Sequence, residues 1–215
     1  MITMWSEKYR PTRLADCVLS HLHPNERRLL GNCEASGQIP NILLFGTPGT
    51  GKSTIAQLLC NPEKFSVRYF NGSLLGKPDM ASINSTLHTR SLVHSHRCIW
   101  IDEIDGVTTE GQKALRAMIE SNVTNLSWIF TANSRSSVID PLQSRMICIN
   151  CSVPEPSERL SHIQGILERC NAVLREEGVT GVNSEEVRKI AELNFPDIRQ
   201  TLNQLQLRYA PMLVN

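Results

Sequence analysis

The sequence predicts an α/β fold, a five-stranded parallel sheet with flanking helices followed by a small three-helix domain. Three observations carry this. Five short apolar bursts, near residues 41–45, 67–70, 98–103, 126–132 and 146–151, alternate with helical patterns, the rhythm of strand–helix–strand units. The first burst runs straight into Gly46-Thr47-Pro48-Gly49-Thr50-Gly51-Lys52-Ser53, which spells GxxxxGK[ST]. The strands stop at Val153-Pro154-Glu155-Pro156, and beyond it apolar residues recur only at helical spacing. A sheet domain over 1–153 and a helical domain over 154–215 are therefore expected.

The glycine stretch has the context of a phosphate-binding loop. Asn41 to Phe45 reads as a buried strand, and Thr54 to Cys60 as a helix opening. Glycines let the main-chain N–H groups turn inward around phosphates, and a helix N-terminus adds partial positive charge. Lys52 can reach the terminal phosphates, and the Ser53 hydroxyl can ligate Mg²⁺.

Composition bounds the rest. The 215 residues are 40% hydrophobic and 20% charged with a net charge of +1, an ordinary globular composition. The N-terminus carries no signal-peptide apolar region, no run approaches a membrane span, and no membrane partner is expected. Seven scattered cysteines suit a reducing, cytoplasmic setting. Charge is uneven: Lys64, Arg68, Lys77, Arg90 and Arg97 stand against Asp79 alone, a face suited to an anionic partner or simply solvated.

In chain order, Glu7 to Pro11 is polar and closed by proline, so an extended segment is expected. Pro24 opens a helix closed around Gly37. Val67 to Phe70 is a strand ending at Asn71-Gly72, and a helix is expected from Asp79 to Leu92. The burst from Cys98 runs into Asp102 and Glu103 at a strand end, where parallel sheets bind ligands. Next to a phosphate loop, Asp102 would hold the Mg²⁺ shell and Glu103 would polarise the attacking water. Thr108 and Gln112 mark a helix start, and Asn133 ends the fourth burst, where an amide could position water or merely cap a turn. Asp140 to Arg145 is a helical turn before the last strand. Cys148 and Cys151 form a lone CxxC read as core thiols rather than a metal site.

In the second domain, Leu160, Ile163, Leu167, Cys170 and Leu174 make one stripe. Asn183 with Glu186 forms a capping box for a second helix. Phe195-Pro196-Asp197 opens the third, with Ile198, Leu202, Leu205 and Tyr209 as its spine. Arg199 falls in that helix's first turn, where the dipole disfavours a cation, so an anionic partner elsewhere is one reading and a surface ion pair the other.

These pieces, in this order, resemble the AAA+ ATPases, within them the replication factor C small-subunit family, and more closely the T-even-type phage clamp-loader ATPases. Residues 7–11 (EKYRP), 46–54 (GTPGTGKST), 99–105 (IWIDEID), 131–133 (TAN), 141–145 (PLQSR) and 195–205 (FPDIRQTLNQL) carry the likeness. The resemblance implies a P-loop AAA+ domain with a helical lid, and a nucleotide site made of Gly46, Thr47, Pro48, Gly49, Thr50, Gly51, Lys52, Ser53, Thr54 and Asp102. Tyr9, Arg10 and Pro11 match the adenine-pocket segment, and Asn133 matches sensor 1. Arg145 matches the arginine finger given to a neighbouring subunit, and Arg199 the lid arginine of sensor 2. Gln112 matches a residue coupling DNA contact to the acidic pair, and Lys77 lies near where the family's basic residues track the duplex backbone, with Arg90 in the same basic run.

The resemblance further implies an ATPase that uses ATP and Mg²⁺ to open a sliding clamp and load it onto primer-template DNA, within a hetero-oligomeric ring of other loader subunits. Met146 stands where the family commonly has cysteine, and Ile104 where cellular members have alanine. Family members continue into a helical collar, and this sequence, ending at Asn215, is expected to lack one. Two rivals remain: another AAA+ DNA motor, such as a branch-migration helicase or helicase loader, and a non-hydrolysing ATP-gated scaffold subunit.

Overall fold

The computed structural model describes residues 3–89, 94, 96–121, 124–153 and 156–210, which group into two compact units. One spans 24–46 and 52–150 and contains the sheet. The other combines the residues up to 23, the loop 47–51 and the residues from 151 onward. The N-terminal segment, read from the sequence as part of 1–153, thus packs with the C-terminal helices.

The sheet has five parallel strands, β1 (Ile42–Phe45), β2 (Ser66–Asn71), β3 (Arg97–Asp102), β4 (Leu126–Ala132) and β5 (Ile147–Asn150), in the order β2-β3-β4-β1-β5. β1 lies between β4 and β5, so strand order reverses beside the strand that feeds the glycine loop, the place where open parallel sheets bind ligands. The central strands read as unbroken apolar runs because both faces are covered: Leu43, Ile99, Ile101 and Phe130 are fully buried. Helices α2 (Pro24–Ser36), α3 (Lys52–Leu59), α4 (Lys77–His88), α5 (Thr109–Glu120) and α6 (Asp140–Gln143) belong to this unit. Gly37, at φ 67°, ends α2 as expected.

The helical unit contains α1 (Trp5–Lys8), α7 (Pro156–Glu176), α8 (Ser184–Asn194) and α9 (Ile198–Tyr209). Its core gathers Trp5 with Ile163, Ile166, Cys170, Val173, Leu202 and Leu205.

Four local expectations are corrected. Glu7 and Lys8 are helical, not extended. Pro11 constrains only the residue before it, and α1 ends two residues earlier. A four-residue helix is marginal alone; burying Trp5 to 3% exposure contributes about 1.5–3 kcal/mol, and the Trp5 N–H donates to Gln206 Oε1 at 2.8 Å. Helix α4 ends at His88, because Thr89 is already extended; the expected continuation to Leu92 falls outside the described residues. Leu160 is 72% exposed, and Ile166 and Val173 take its place in the α7 stripe. The α8 capping box is half made: Asn183 caps the Glu185 N–H, while Glu186 pairs with Arg208 and Tyr209.

A buried imidazole pair marks the helical unit. His21 is 4% exposed and His162 fully buried, with their rings T-shaped at 4.7 Å. Ser20 Oγ shares a hydrogen bond with His162 Nδ1 at 3.0 Å. Burial, and the neighbouring His162, push His21 down to about 3; burial pushes His162 down to about 4. Both imidazoles titrate near 6.5 once unfolded, so the unfolded state binds more protons below that pH. Stability is full above pH 6.5 and falls as the pH drops toward 4, by about 2 kcal/mol per imidazole at pH 5. Thermal melts between pH 8 and pH 5 should show this loss, and His21→Phe should shrink it; identical pH profiles for the two proteins would refute the assignment.

Candidate active site

β1 delivers the chain to Gly46, whose N–H donates to the Ala132 carbonyl at the end of β4 at 3.2 Å. Gly46, Gly49 and Gly51 have φ of 143°, 79° and 88°, conformations that side-chain-bearing residues resist. The loop closes with Thr50 Oγ1 donating to the Thr47 carbonyl at 2.9 Å, and α3 then starts at Lys52. Lys52 is only 8% exposed, and its ammonium donates to the Gly46 carbonyl at 2.7 Å, bridging the two ends of the loop. Thr54 follows Ser53 in the first turn of α3.

Strand register brings the acidic pair to this helix. Ile101 pairs with Phe130, so Asp102 lies level with Thr131. Asp102 Oδ1 accepts from Ser53 Oγ at 2.9 Å and from Thr131 Oγ1 at 2.6 Å. Thr131 Oγ1 in turn accepts the Glu103 N–H at 2.9 Å. One threonine thus orients both acids, a role that sequence reasoning missed. Glu103 sits in the left-handed region at φ 56°, a strained conformation found mostly at functional positions. Its carboxylate accepts from Ser73 Oγ at 3.2 Å, a second partner not foreseen. Gly72 and Gly106 permit that approach: a Cβ on Gly72 would stand 2.2 Å from the Glu103 carbonyl, and one on Gly106 2.5 Å from Ser73 Oγ.

A serine hydroxyl and a carboxylate oxygen at hydrogen-bond distance form a hard-oxygen donor pair suited to Mg²⁺. Among the described residues no cluster of three His, Cys, Asp or Glu could hold a metal. A cation at Ser53 and Asp102 would therefore draw its other ligands from water and phosphate.

The remaining expected residues divide. Asn133 follows β4 and donates from Nδ2 to Asp105 Oδ2 at 3.0 Å. Gln112 is 3% exposed, and its Nε2 donates to the carbonyls of Val107 at 3.2 Å and Ser137 at 3.0 Å while its Oε1 accepts the Ile139 N–H at 2.9 Å. The amide thereby ties the turn after the acidic pair to the segment after Asn133. Lys77 is exposed at the start of α4. Arg90 lies outside the described residues.

Arg145 precedes β5, and Ile147 pairs with Ile42 at the start of β1, so Arg145 sits at the sheet edge opposite the glycine loop. Four residues of strand separate the two edges, roughly 13 Å. Its guanidinium pairs with Glu120 and donates to the Pro141 carbonyl at 2.6 Å. Arg116 first, then Arg145, holds the Glu120 carboxyl below its ordinary range.

In the helical unit, Tyr9 accepts from Arg169 through its carbonyl, and Arg10 pairs with Glu7 at 2.6 Å, just before Pro11. The Ile198 N–H donates to the Gly49 carbonyl at 3.3 Å, and the Asp197 carboxylate lies where a Gly49 Cβ would be, at 2.2 Å. The first turn of α9 thus rests on the glycine loop. Arg199, next in that turn, is exposed, with no ion pair among the described residues.

Sheet order, glycine loop and the hydroxyl–carboxylate pair define a phosphate-binding site of the P-loop type. The chain belongs to the ATPase family associated with various cellular activities (AAA), which matches residues 42–151. It is similar to the sliding-clamp-loader large subunits of Enterobacteria phage T4, 30% identical over 203 residues, and of Escherichia phage RB69, 32% identical over 204 residues. Each match covers 93% of this chain and 62% of the phage protein. Replication factor C small subunit 2 of Pyrobaculum islandicum is 30% identical over 217 residues, covering 96% of this chain and 63% of that protein. The chain thus spans under two thirds of the length of these relatives. Among solved structures, the RuvB Holliday junction branch migration motor of Thermotoga maritima matches with a TM-score of 0.70 at 19% identity, over 95% of this chain and 66% of that one, a likeness of fold. No helix among the described residues is long and apolar enough to cross a membrane.

The threonine bridge gives a direct test. Thr131→Val keeps the shape but removes the hydroxyl held by Asp102 and Glu103. Mg²⁺-dependent nucleotide affinity or turnover should fall about 10- to 100-fold, as for other groups that orient metal ligands. Titrating Mg²⁺ at fixed nucleotide measures it, and unchanged values would remove Thr131 from the site.

Proposed function

We propose that this chain binds Mg·ATP and hydrolyses it, and that the hydrolysis cycle serves to open a sliding clamp and load it onto primer-template DNA. The observation that carries the ATPase reading is the Asp102 carboxylate taking hydroxyl bonds from Ser53 and Thr131 at the foot of the glycine loop. The similarity to phage and archaeal clamp-loader subunits supports the wider role.

The chemistry assigned is in-line attack of water on the γ-phosphate, helped mainly by positioning and charge. The N–H groups of Gly49 to Thr54 cradle the phosphates, and Lys52 leaves the Gly46 carbonyl for a terminal phosphate oxygen. Ser53 and Asp102 hold the Mg²⁺ shell; when bound, the ion neutralises charge on the phosphate oxygens. Glu103 polarises the attacking water from its fixed left-handed turn, and Asn133 acts beside it. Tyr9, Arg10 and Pro11 are assigned to the adenine, and Arg199 to the γ-phosphate from the first turn of α9.

Arg145 is assigned to a neighbouring subunit's nucleotide. Its place at the far edge of the sheet supports that role, because its own loop is roughly 13 Å away. An arginine supplied this way is worth on the order of 10³–10⁵ in rate in related phosphoryl transfers. Lys77 and Arg90 are assigned to the DNA backbone, which would bind them without regard to sequence.

Two measurements test the proposal. Glu103→Gln should bind Mg·ATP almost as the parent does while turnover falls by about 10²-fold or more; near-parental turnover would sink the role of Glu103. For the wider reading, ATP turnover by the full complex should rise when clamp and primed DNA are present together. Stimulation by DNA alone with continuous translocation would instead indicate a DNA motor of another kind.

A further inference from the structure

Asp105 lies in the short 3-10 turn Ile104–Gly106 that follows the acidic pair, and no role assigned so far uses it. Its Oδ2 accepts from Asn133 Nδ2 at 3.0 Å, while its Oδ1 is buried with no partner among the described residues. The turn is well anchored: Ile104 is fully buried, the Gly106 N–H donates to the Glu103 carbonyl at 2.9 Å, and the Val107 N–H to the Ile104 carbonyl at 3.0 Å. Asp105 therefore has little freedom to follow a moving partner. With one oxygen desolvated, the carboxylate depends on Asn133 for compensation, and that dependence strengthens the bond.

The chemistry of the pair settles the orientation of the amide. A carboxylate only accepts, so the face of Asn133 turned to Asp105 must be its NH₂ group. The amide oxygen lies at the other edge of the same planar group, and Asn133 is an exposed residue. We propose that Asp105 is a positioning residue that commits Asn133 to present its carbonyl oxygen, not its nitrogen, to the attacking water. This deepens the ATPase reading of the site and rests on it. Water has two hydrogens to give. With one directed to the Glu103 carboxylate and one to the Asn133 carbonyl, a lone pair is left for phosphorus. As the bond from the water oxygen to the γ-phosphorus forms, the bond from that phosphorus to the β–γ bridging oxygen breaks and ADP leaves with its electron pair; the water proton passes toward Glu103, while Asn133 accepts a hydrogen bond and takes no proton.

A donor–acceptor exchange tests this on the full chain. Asp105→Ala should leave Mg·ATP affinity within about 3-fold and lower kcat about 10- to 100-fold. Asn133→Asp alone sets two carboxylates against each other and should be worse. The double variant Asp105→Asn/Asn133→Asp restores the bond with its direction reversed and still offers an acceptor to the water, so kcat should recover to within about 10-fold of the parent. A double variant no better than Asn133→Asp would overturn the carbonyl orientation, and a parental kcat in Asp105→Ala would overturn the role of Asp105. Asp105→Asn, which keeps the volume, replaces Asp105→Ala if that variant does not fold.

A second readout needs no turnover. In the nucleotide-free chain, the two side-chain amide protons of Asn133 should be widely separated by NMR, and Asp105→Ala should collapse that separation. If the parent hydrolyses no ATP, the ATPase reading fails, while the amide signals still report whether Asp105 holds Asn133. If the parent hydrolyses ATP and the signals do not move in Asp105→Ala, the ATPase reading stands and the positioning role falls.

Discussion

The sheet unit depends on one carboxylate oxygen. Asp102 Oδ1 takes hydrogen bonds from a hydroxyl on α3 and a hydroxyl on β4, while Asp102 itself ends β3. Three elements from distant parts of the chain therefore meet within hydrogen-bond distance of a single atom. The meeting requires parallel strands in fixed register, since a slip of one residue would turn Thr131 to the other face of the sheet. It requires as well that β1 lie beside β4, so that the glycine loop starts α3 at the correct height. The apolar core beneath, with Phe130, Ile101 and Leu43 fully buried, enforces that register.

A second layer holds the ends of the two central strands to each other. Gln112 uses its amide to join the turn after Glu103 to the segment after Asn133, so the two halves of the site move together or not at all. A buried amide that lost those partners would leave several main-chain groups unsatisfied, each at about 1–3 kcal/mol. The strained Glu103 backbone persists because Thr131, Ser73 and this amide over-determine it.

What was legible in the sequence follows from how local each signal is. β4 begins and ends where its apolar run does, because a strand covered on both faces declares itself in composition alone. The glycine loop, the acidic pair and Asn133 were likewise visible, since each ends a strand. Helix α1 was not visible, as its stability comes from Trp5 meeting Gln206, 201 positions away. Nor were Thr131, Ser73 and Asp105 visible as site residues. A hydroxyl or carboxylate at a strand end resembles any turn residue until strand order says which neighbour it faces. Aligning the third and fourth bursts so that Ile101 met Phe130 would have exposed Thr131. The burial of Gln112 was not legible, because side-chain burial on α5 depends on what packs over it.

The glycine loop and Arg145 occupy opposite edges of one rigid sheet, and that polarity limits how copies or relatives of this chain can meet. A two-fold pair seats each partner's arginine at the other's loop only where the two sheets run antiparallel. Head-to-tail contact places every arginine at a neighbouring loop and leaves one arginine and one loop unused at the two ends. Such a chain of subunits has direction, and it grows into either a closed ring or an open spiral, depending on the rotation and rise per contact. A spiral, unlike a ring, leaves a gap between its first and last subunits.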